Sequence, residues 1–191
     1  MKDDPLAKMI VAAQKGEPEA FTWLLQEYGP RLLAYFRRFS GSPTDAEDLL
    51  QDLFVRLVTK IGNYHHEGRF EHWLFRVGAN LARDQARQRR RHGKTVSLDA
   101  PRSDTDSWAG TLASQEKTPE QKLLHAEQLD QLQEALKQLS DVDRRIILLR
   151  HYGHLSFKEL AQHFQMPIGT VLAKVHRSLK RLNRIMDNEK L

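Results

Sequence analysis

The sequence predicts an all-α chain of two small helical domains joined by a flexible linker. Three observations carry that reading. Apolar residues recur at three- and four-residue spacings through both halves and nowhere alternate as a half-buried strand requires. Four of the periodic stretches follow a Ser or Thr with Pro next or an acid or amide three residues on, the signature of a helix start. Between the halves, residues 92–118 lose the periodicity and fill with Ser, Thr and Asp around Pro101 and Gly110. Roughly 25 structureless residues are unusual inside one compact domain. The boundaries therefore fall there: a first domain over 1–92, an acidic linker over 93–117 and a second domain over 118–191. Trp108 is expected to dock on a surface, its own or a partner's.

In the first half, Leu6, Met9, Ile10 and Ala13 describe an amphipathic helix over 5–15 that Gly16 closes. A second helix starts at Pro18 with Phe21, Leu24, Leu25 and Tyr28. Gly29-Pro30 is expected to kink or break it before Leu32, Leu33, Phe36 and Phe39 resume the pattern. Ser42-Pro43-Thr44-Asp45 caps the next helix, which runs to about Ile61 with Ala46, Leu49, Leu50, Leu53, Phe54, Leu57, Val58 and Ile61 on one face. Asp45, Asp48, Gln51 and Asp52 give its first half an acidic edge. Favourable placement at a helix N-terminus explains Asp45 and reaches to Asp48, but Asp52 lies too deep. An acidic patch for a basic partner is the alternative. Residues 62–68 form a loop whose adjacent His65 and His66 lack the cysteines or spaced carboxylates of a metal site and read as solvated.

Residues 70–91 sort into three helical strips. Phe70, Trp73, Leu74, Val77 and Leu81 form a bulky apolar strip; Phe75, Ala79, Ala82 and Ala86 form a smaller one roughly opposite, where a second helix can come close. Arg76, Asn80, Arg83 and Arg87 fill the gap between them, and Arg89, Arg90 and Arg91 extend the charge. Such a helix suits the centre of a bundle that shows one edge to a polyanion. Between Arg76 and Lys94 stand seven Lys or Arg against one acid, Asp84. That clustering, within a formal net charge of +5, points to nucleic acid or another acidic surface.

The second half opens on Thr118-Pro119-Glu120-Gln121, then Leu123, Ala126, Leu129, Leu132, Leu136 and Leu139. Ser140 and Asp143 cap a helix with Val142, Ile146 and Leu149 that Tyr152-Gly153 stops. Ser156 and Glu159 cap a short helix with Leu160, Ala161 and Phe164; a turn over 165–169 leads to a last helix over 167–186, inward through Ile168, Val171, Val175, Leu179 and Leu182. A short helix, a tight turn and a longer helix with a basic outer face have the layout of a helix-turn-helix, whose second helix enters the DNA major groove. Thr170, Ala173, Lys174, Arg177, Arg181 and Arg184 face away from the seam.

Composition sets the outer bounds. At 191 residues, 40% hydrophobic and 29% charged, the chain is ordinary for a soluble globular protein. No apolar run approaches the ~18 residues that span a bilayer, and the acidic start is no signal peptide, so a cytoplasmic location is expected. With no cysteine, disulfides, iron–sulfur clusters and Cys-ligated zinc are excluded.

Two stretches resemble a known family. DAEDLLQDLF at 45–54 followed by FEHWLFRVGANLARDQARQRRR at 70–91 is similar to conserved region 2 of bacterial RNA polymerase sigma factors of the extracytoplasmic-function (ECF) group, and residues 139–182 resemble their region 4. The resemblance covers nearly the whole chain except the linker, in the right order. It implies that Asp48, Gln51 and Asp52 dock on the coiled coil of the polymerase β′ subunit. Asn63 and Tyr64 of the loop, with Trp73, Arg76, Asn80, Arg83 and Arg87, would melt and read a promoter −10 element. An aromatic-bearing loop beside a basic stripe suits that task, because an unstacked base is captured by stacking and hydrogen bonds. Ser156, Lys158, Thr170, Lys174, His176, Arg177 and Arg181 would read the −35 element as duplex, with region 4 also on the β flap. The linker would thread toward the RNA exit path.

The resemblance also implies an anti-sigma partner, in many such cases membrane-anchored, no cofactor and no catalysis. One departure stands out: Leu172 and Ala173 occupy positions where the family usually has Lys or Arg and then Ser, which removes two polar contacts at the −35 element. A stand-alone helix-turn-helix regulator is the runner-up, and it leaves the acidic helix and the aromatic–basic helix without work. A phosphohydrolase built on Asp48, Asp52 and the histidines lacks the required ligand spacing. The two domains are expected to be loosely coupled when the chain is alone.

Overall fold

The computed structural model describes residues 4–91 and 119–188. Among them run helices α1 (Pro5–Gln14), α2 (Pro18–Ser40), α3 (Pro43–Lys60), a 3₁₀ turn (Ile61–Asn63), α4 (Phe70–Arg91), α5 (Pro119–Lys137), α6 (Asp141–Tyr152), α7 (Phe157–Phe164) and α8 (Ile168–Asn188). The whole linker over 93–117, with Trp108, and the expected Thr118 cap lie outside the described residues.

Local chemistry accounts for the helix starts. The Ser42, Ser140 and Ser156 hydroxyls each accept from the backbone N–H three residues on, and Glu159 completes a capping box at Ser156. Asp4 caps α1 by accepting from the Leu6 N–H. Of the kink or break expected at Gly29-Pro30, the break does not occur: α2 passes through Pro30 as one helix. The ring conflicts with the carbonyl of Gln26 one turn earlier, but Gln26 is exposed to water, and the rest of the helix is fixed by burial of Leu24, Leu32, Leu33, Tyr35 and Phe36.

In the first half, α4 packs against α2 and α3 with the predicted strips. Phe70, Leu74 and Leu81 are buried on one side, and Phe75, Ala79 and Ala82 on the other. The closest approach falls at Gly78, where a Cβ would stand 3.1 Å from Phe36 Cζ and 3.4 Å from Leu53 Cδ2. Three inward expectations fail, one on α3 and two on α8. Val58 is exposed, and so is its neighbour Val55. Ile168 and Leu179 are exposed too, while Ser178 is buried with Val171, Val175 and Leu182. The spacing 171, 175, 178, 182 is the true seam of α8, and a polar serine disguises it.

The expected loose coupling does not hold in the structure. Buried side chains of both halves join one apolar cluster. The Tyr152 ring of α6 meets Tyr35 of α2 edge-on at 6.5 Å, and the Arg144 guanidinium stands over Phe39 at 5.6 Å. Arg31 donates to the Tyr152 carbonyl and, at 2.6 Å, to Glu71; Arg38 donates to the Leu129 carbonyl at 2.8 Å. The Gln133 amide returns a bond to the Arg38 carbonyl at 3.3 Å. Arg90 pairs with Asp141 across the same junction.

Candidate nucleic-acid interface

The loop after α3 is held from two sides. Tyr64 turns its ring inward, 4.8 Å from Trp73 and 5.4 Å from Phe70, and Phe70 in turn meets Tyr28 at 5.6 Å. Burial raises the pKa of the Tyr64 phenol, with Glu67 adding to it, so the hydroxyl stays a donor. On the other side the Gln14 amide donates to the carbonyls of Ile61 (3.1 Å) and Tyr64 (2.6 Å). Asn63, between those two carbonyls, is exposed. Trp73 is half-buried and keeps an open edge next to exposed Arg76. Asn80 and Arg83 are half-buried further along α4, and Arg87 is exposed. The sequence-predicted −10 residues thus form one continuous surface: a turn, an aromatic step and a polar–basic stripe.

Not every arginine of that stripe is available. Arg89 pairs through both terminal nitrogens with Asp45, the first carboxylate of α3. Hydrogen bonding and attraction from Arg89, with a bond from Ser42, hold Asp45 below the usual carboxylate range despite partial burial. Asp45 therefore ties α3 to α4 and leaves the acidic edge to Asp48, Gln51 and Asp52, all exposed. The same side of α3 continues into Val55 and Val58, 65% and 55% exposed. Sequence periodicity gave Val58 to the core and overlooked Val55. Together they make an acidic-then-apolar strip suited to a helix with basic and apolar residues.

In the second half, α7, a left-handed Gln165 (φ 53°, ψ 47°) and α8 form the predicted helix-turn-helix. Ser156 and Lys158 at the start of α7 and Thr170, His176, Arg177 and Arg181 along α8 are exposed. Lys174 is not free to read bases: its ammonium sits 2.8 Å from Asp143 of α6, and less than a quarter of its side chain is exposed. Asp143 also accepts from Ser140. Although burial opposes it, bonds from Lys174 and Ser140 keep the pKa of Asp143 low. Leu172 is exposed and Ala173 half-buried, so the departures from the family pattern put an apolar patch beside Thr170 and His176.

The two candidate surfaces meet at a seam of like charge. Half-buried Arg145 of α6 lies within electrostatic range of Arg83 and Arg87, and His163 of α7 within range of Arg145, Arg76 and Arg83. Burial, reinforced by those guanidiniums, pushes the His163 imidazole down from 6.5 to about 4. Such partners on α4, 58 to 87 residues earlier in the sequence, carry no local signal. Among the described residues, no three His, Asp or Glu side chains are placed to hold a metal ion. His66 instead faces Asp4 at 3.6 Å. No described helix is long and apolar enough to cross a membrane.

Comparison with known proteins matches both halves. A Sigma-70 region 2 model covers residues 24–92, and a Sigma-70, region 4 model covers residues 129–182. The chain is 26% identical over 181 residues to the ECF RNA polymerase sigma factor SigW of Bacillus subtilis, spanning 94% of this chain and 95% of that one. It is 30% identical over 183 residues to the ECF RNA polymerase sigma factor SigE of Mycolicibacterium smegmatis, spanning 94% of this chain and 67% of the other. Its fold matches that of the sigma factor RpoE, solved in complex with the anti-sigma factor NepR from Bartonella quintana, with a TM-score of 0.66 at 24% identity over 87% of this chain and 96% of that chain. With both regions present in order and the relatedness spanning almost its full length, the chain belongs to the ECF group of the sigma-70 family of RNA polymerase sigma factors.

Proposed function

We propose that the chain binds core RNA polymerase reversibly and divides promoter recognition between its two halves, residues 1–92 and 118–191, tethered by the linker over 93–117. The strip Asp48, Gln51 and Asp52, prolonged by Val55 and Val58, takes the β′ coiled coil, and the second half sits at the β flap. Asn63, Tyr64, Trp73, Arg76, Asn80, Arg83 and Arg87 open and hold the −10 element as a single strand. Ser156, Lys158, Thr170, His176, Arg177 and Arg181 read the −35 element as duplex. Lys174 contributes by steadying α8 through Asp143 and not by direct readout. The chain acts by binding and carries out no catalysis of its own; it works in the cytoplasm, on the nucleoid when polymerase carries it. An anti-sigma factor, anchored in the membrane in the simplest arrangement, restrains it by covering the polymerase-binding faces.

One observation supports this reading above the others: an exposed acidic strip and an aromatic–basic surface stand on adjacent helices of one bundle, α3 and α4, which a stand-alone DNA-binding regulator does not need. The deciding experiment is in vitro transcription from a promoter library with core polymerase lacking its own specificity subunit. Adding the chain should produce initiation at defined starts. Polymerase that ignores it would leave a duplex-binding regulator as the better account. Within the mechanism, Asn80→Ala should impair open-complex formation more than −35 duplex binding; equal loss of both would contradict the division of labour.

A further inference from the structure

α1 lies outside the segment that matches region 2, which begins at residue 24, and the proposed function gives it no work. Its placement is nonetheless specific. Ile10 and Ala13 are buried against the bundle, and both ends of the helix reach the loop that follows α3. At its C-terminal end the single amide of Gln14 donates to two carbonyls three residues apart, Ile61 and Tyr64. The Tyr64 N–H already closes the turn on the Ile61 carbonyl at 3.0 Å. At its N-terminal end Asp4, the α1 cap, stands 3.6 Å from His66. A helix of ten residues is ~15 Å long, so α1 runs lengthwise beside the loop and is tied to it at both ends.

We propose that Gln14 is a positioning residue for capture of the promoter single strand, and that α1 is a splint for the loop. The inference rests on the proposed −10 role of Asn63 and Tyr64. Both NH₂ hydrogens of Gln14 are directed at backbone acceptors on either side of Asn63, so the turn that projects the Asn63 side chain has one conformation. The same bonds fix the backbone from which the Tyr64 ring packs on Trp73 and Phe70. A base leaving the duplex stack then meets a preformed partner, and the ordering cost that a mobile loop imposes on binding is already met. Gln14 itself is exposed and adds little to the core.

The test uses holoenzyme assembled from core polymerase and the full chain, with a promoter selected by the wild-type protein. The probes are a fluorescent single strand carrying its −10 element, the same strand with each base changed in turn, and a −35 duplex. Gln14→Leu removes the donors at near-constant size; Gln14→Lys keeps N–H donors. Gln14→Leu should weaken single-strand capture on the order of ten-fold, the scale of one to two hydrogen bonds. It should also flatten discrimination among bases at the captured position, and leave core affinity, −35 binding and thermal stability unchanged. Gln14→Lys should retain at least half of the wild-type discrimination. The proposal is overturned if Gln14→Leu captures and discriminates like wild type, if both variants lose equally, or if the loss runs parallel with thermal stability. Wild-type holoenzyme that captures no single strand would instead remove the −10 reading on which the splint depends.

Discussion

His72 Nδ1 of α4 stands 2.6 Å from Glu159 Oε1 of α7, so a side chain of region 2 meets the very carboxylate that caps the first helix of the helix-turn-helix. Glu159 also accepts from the Ser156 N–H and hydroxyl. The two halves are thus locked through a residue that also secures the DNA-reading fold.

This closed arrangement predicts the shape of the free chain. A compact chain of this length has a radius of gyration of about 16 Å, and small-angle scattering should show the two described halves as one compact particle. Promoter elements some 25 base pairs apart lie about 85 Å apart at ~3.4 Å per pair. Spectroscopic labels at exposed Asp84 of α4 and exposed Gln162 of α7, which leave the His72–Glu159 contact intact, should therefore separate when core polymerase and promoter DNA are added. An unchanged distance in the full complex would refute the separation.

Acid should weaken the fold in two distinguishable windows. His163 is held near 4 when folded and returns to 6.5 when unfolded, so between those values the unfolded chain binds a proton that the native chain refuses. Stability is complete above about 6.5 and falls as pH drops toward about 4. Asp45, Asp143 and Glu159 are lowered from 3.8, 3.8 and 4.5, so their contribution is lost as pH falls below about 4.5, overlapping only the acid end of the first window. Thermal melts of His163→Gln should lose the decline between pH 6.5 and 4 and keep the steeper one beneath it.

Gly78→Ala should destabilise the first half. A helix interior gains ~1 kcal/mol from Gly→Ala, but the new methyl meets Phe36 Cζ at 3.1 Å, so the fully buried Phe36 ring must shift by a few tenths of an ångström. Overpacking costs ~1–3 kcal/mol. We expect a net loss of about 1 kcal/mol, read as a drop of roughly 2–4 °C in Tm.

Asp52→Arg should abolish capture by core polymerase while leaving the melting temperature unchanged, because Asp52 is exposed. Wild-type retention in a pull-down would remove the acidic strip from the mechanism.

Lys174→Ala and Arg177→Ala should separate support from readout. Loss of the partly exposed Lys174–Asp143 pair should cost at most ~1 kcal/mol of stability and weaken −35 duplex binding modestly. Arg177→Ala should leave the melt alone and weaken duplex binding more. The reverse order would restore Lys174 as a reader.

What was legible in the sequence was local. The Ser42, Ser140 and Ser156 caps are written within four residues each, and the three strips of α4 within one helix, so both survive in the structure. What was not legible depends on which neighbour covers a face. Val58 follows the apolar spacing of α3 yet is exposed among the described residues; Ser178 is polar yet lies on the seam of α8. Pro30 signals a break that surrounding burial overrides. Of the site, the exposed residues of α3, α4 and α8 were named correctly as exposed, but nothing near Lys174 announces Asp143 from 31 residues earlier. Gln14 shares no pattern at all with carbonyls 47 and 50 residues away.

The junction sets Arg83 and Arg87 against Arg145 and also pairs Arg90 with Asp141, so salt acts on both signs of interaction there. Added salt screens that repulsion and that attraction alike, while the same ions compete with the chain for phosphate. The salt dependence of promoter binding should therefore follow the phosphate contacts, with the closed form shifting it little.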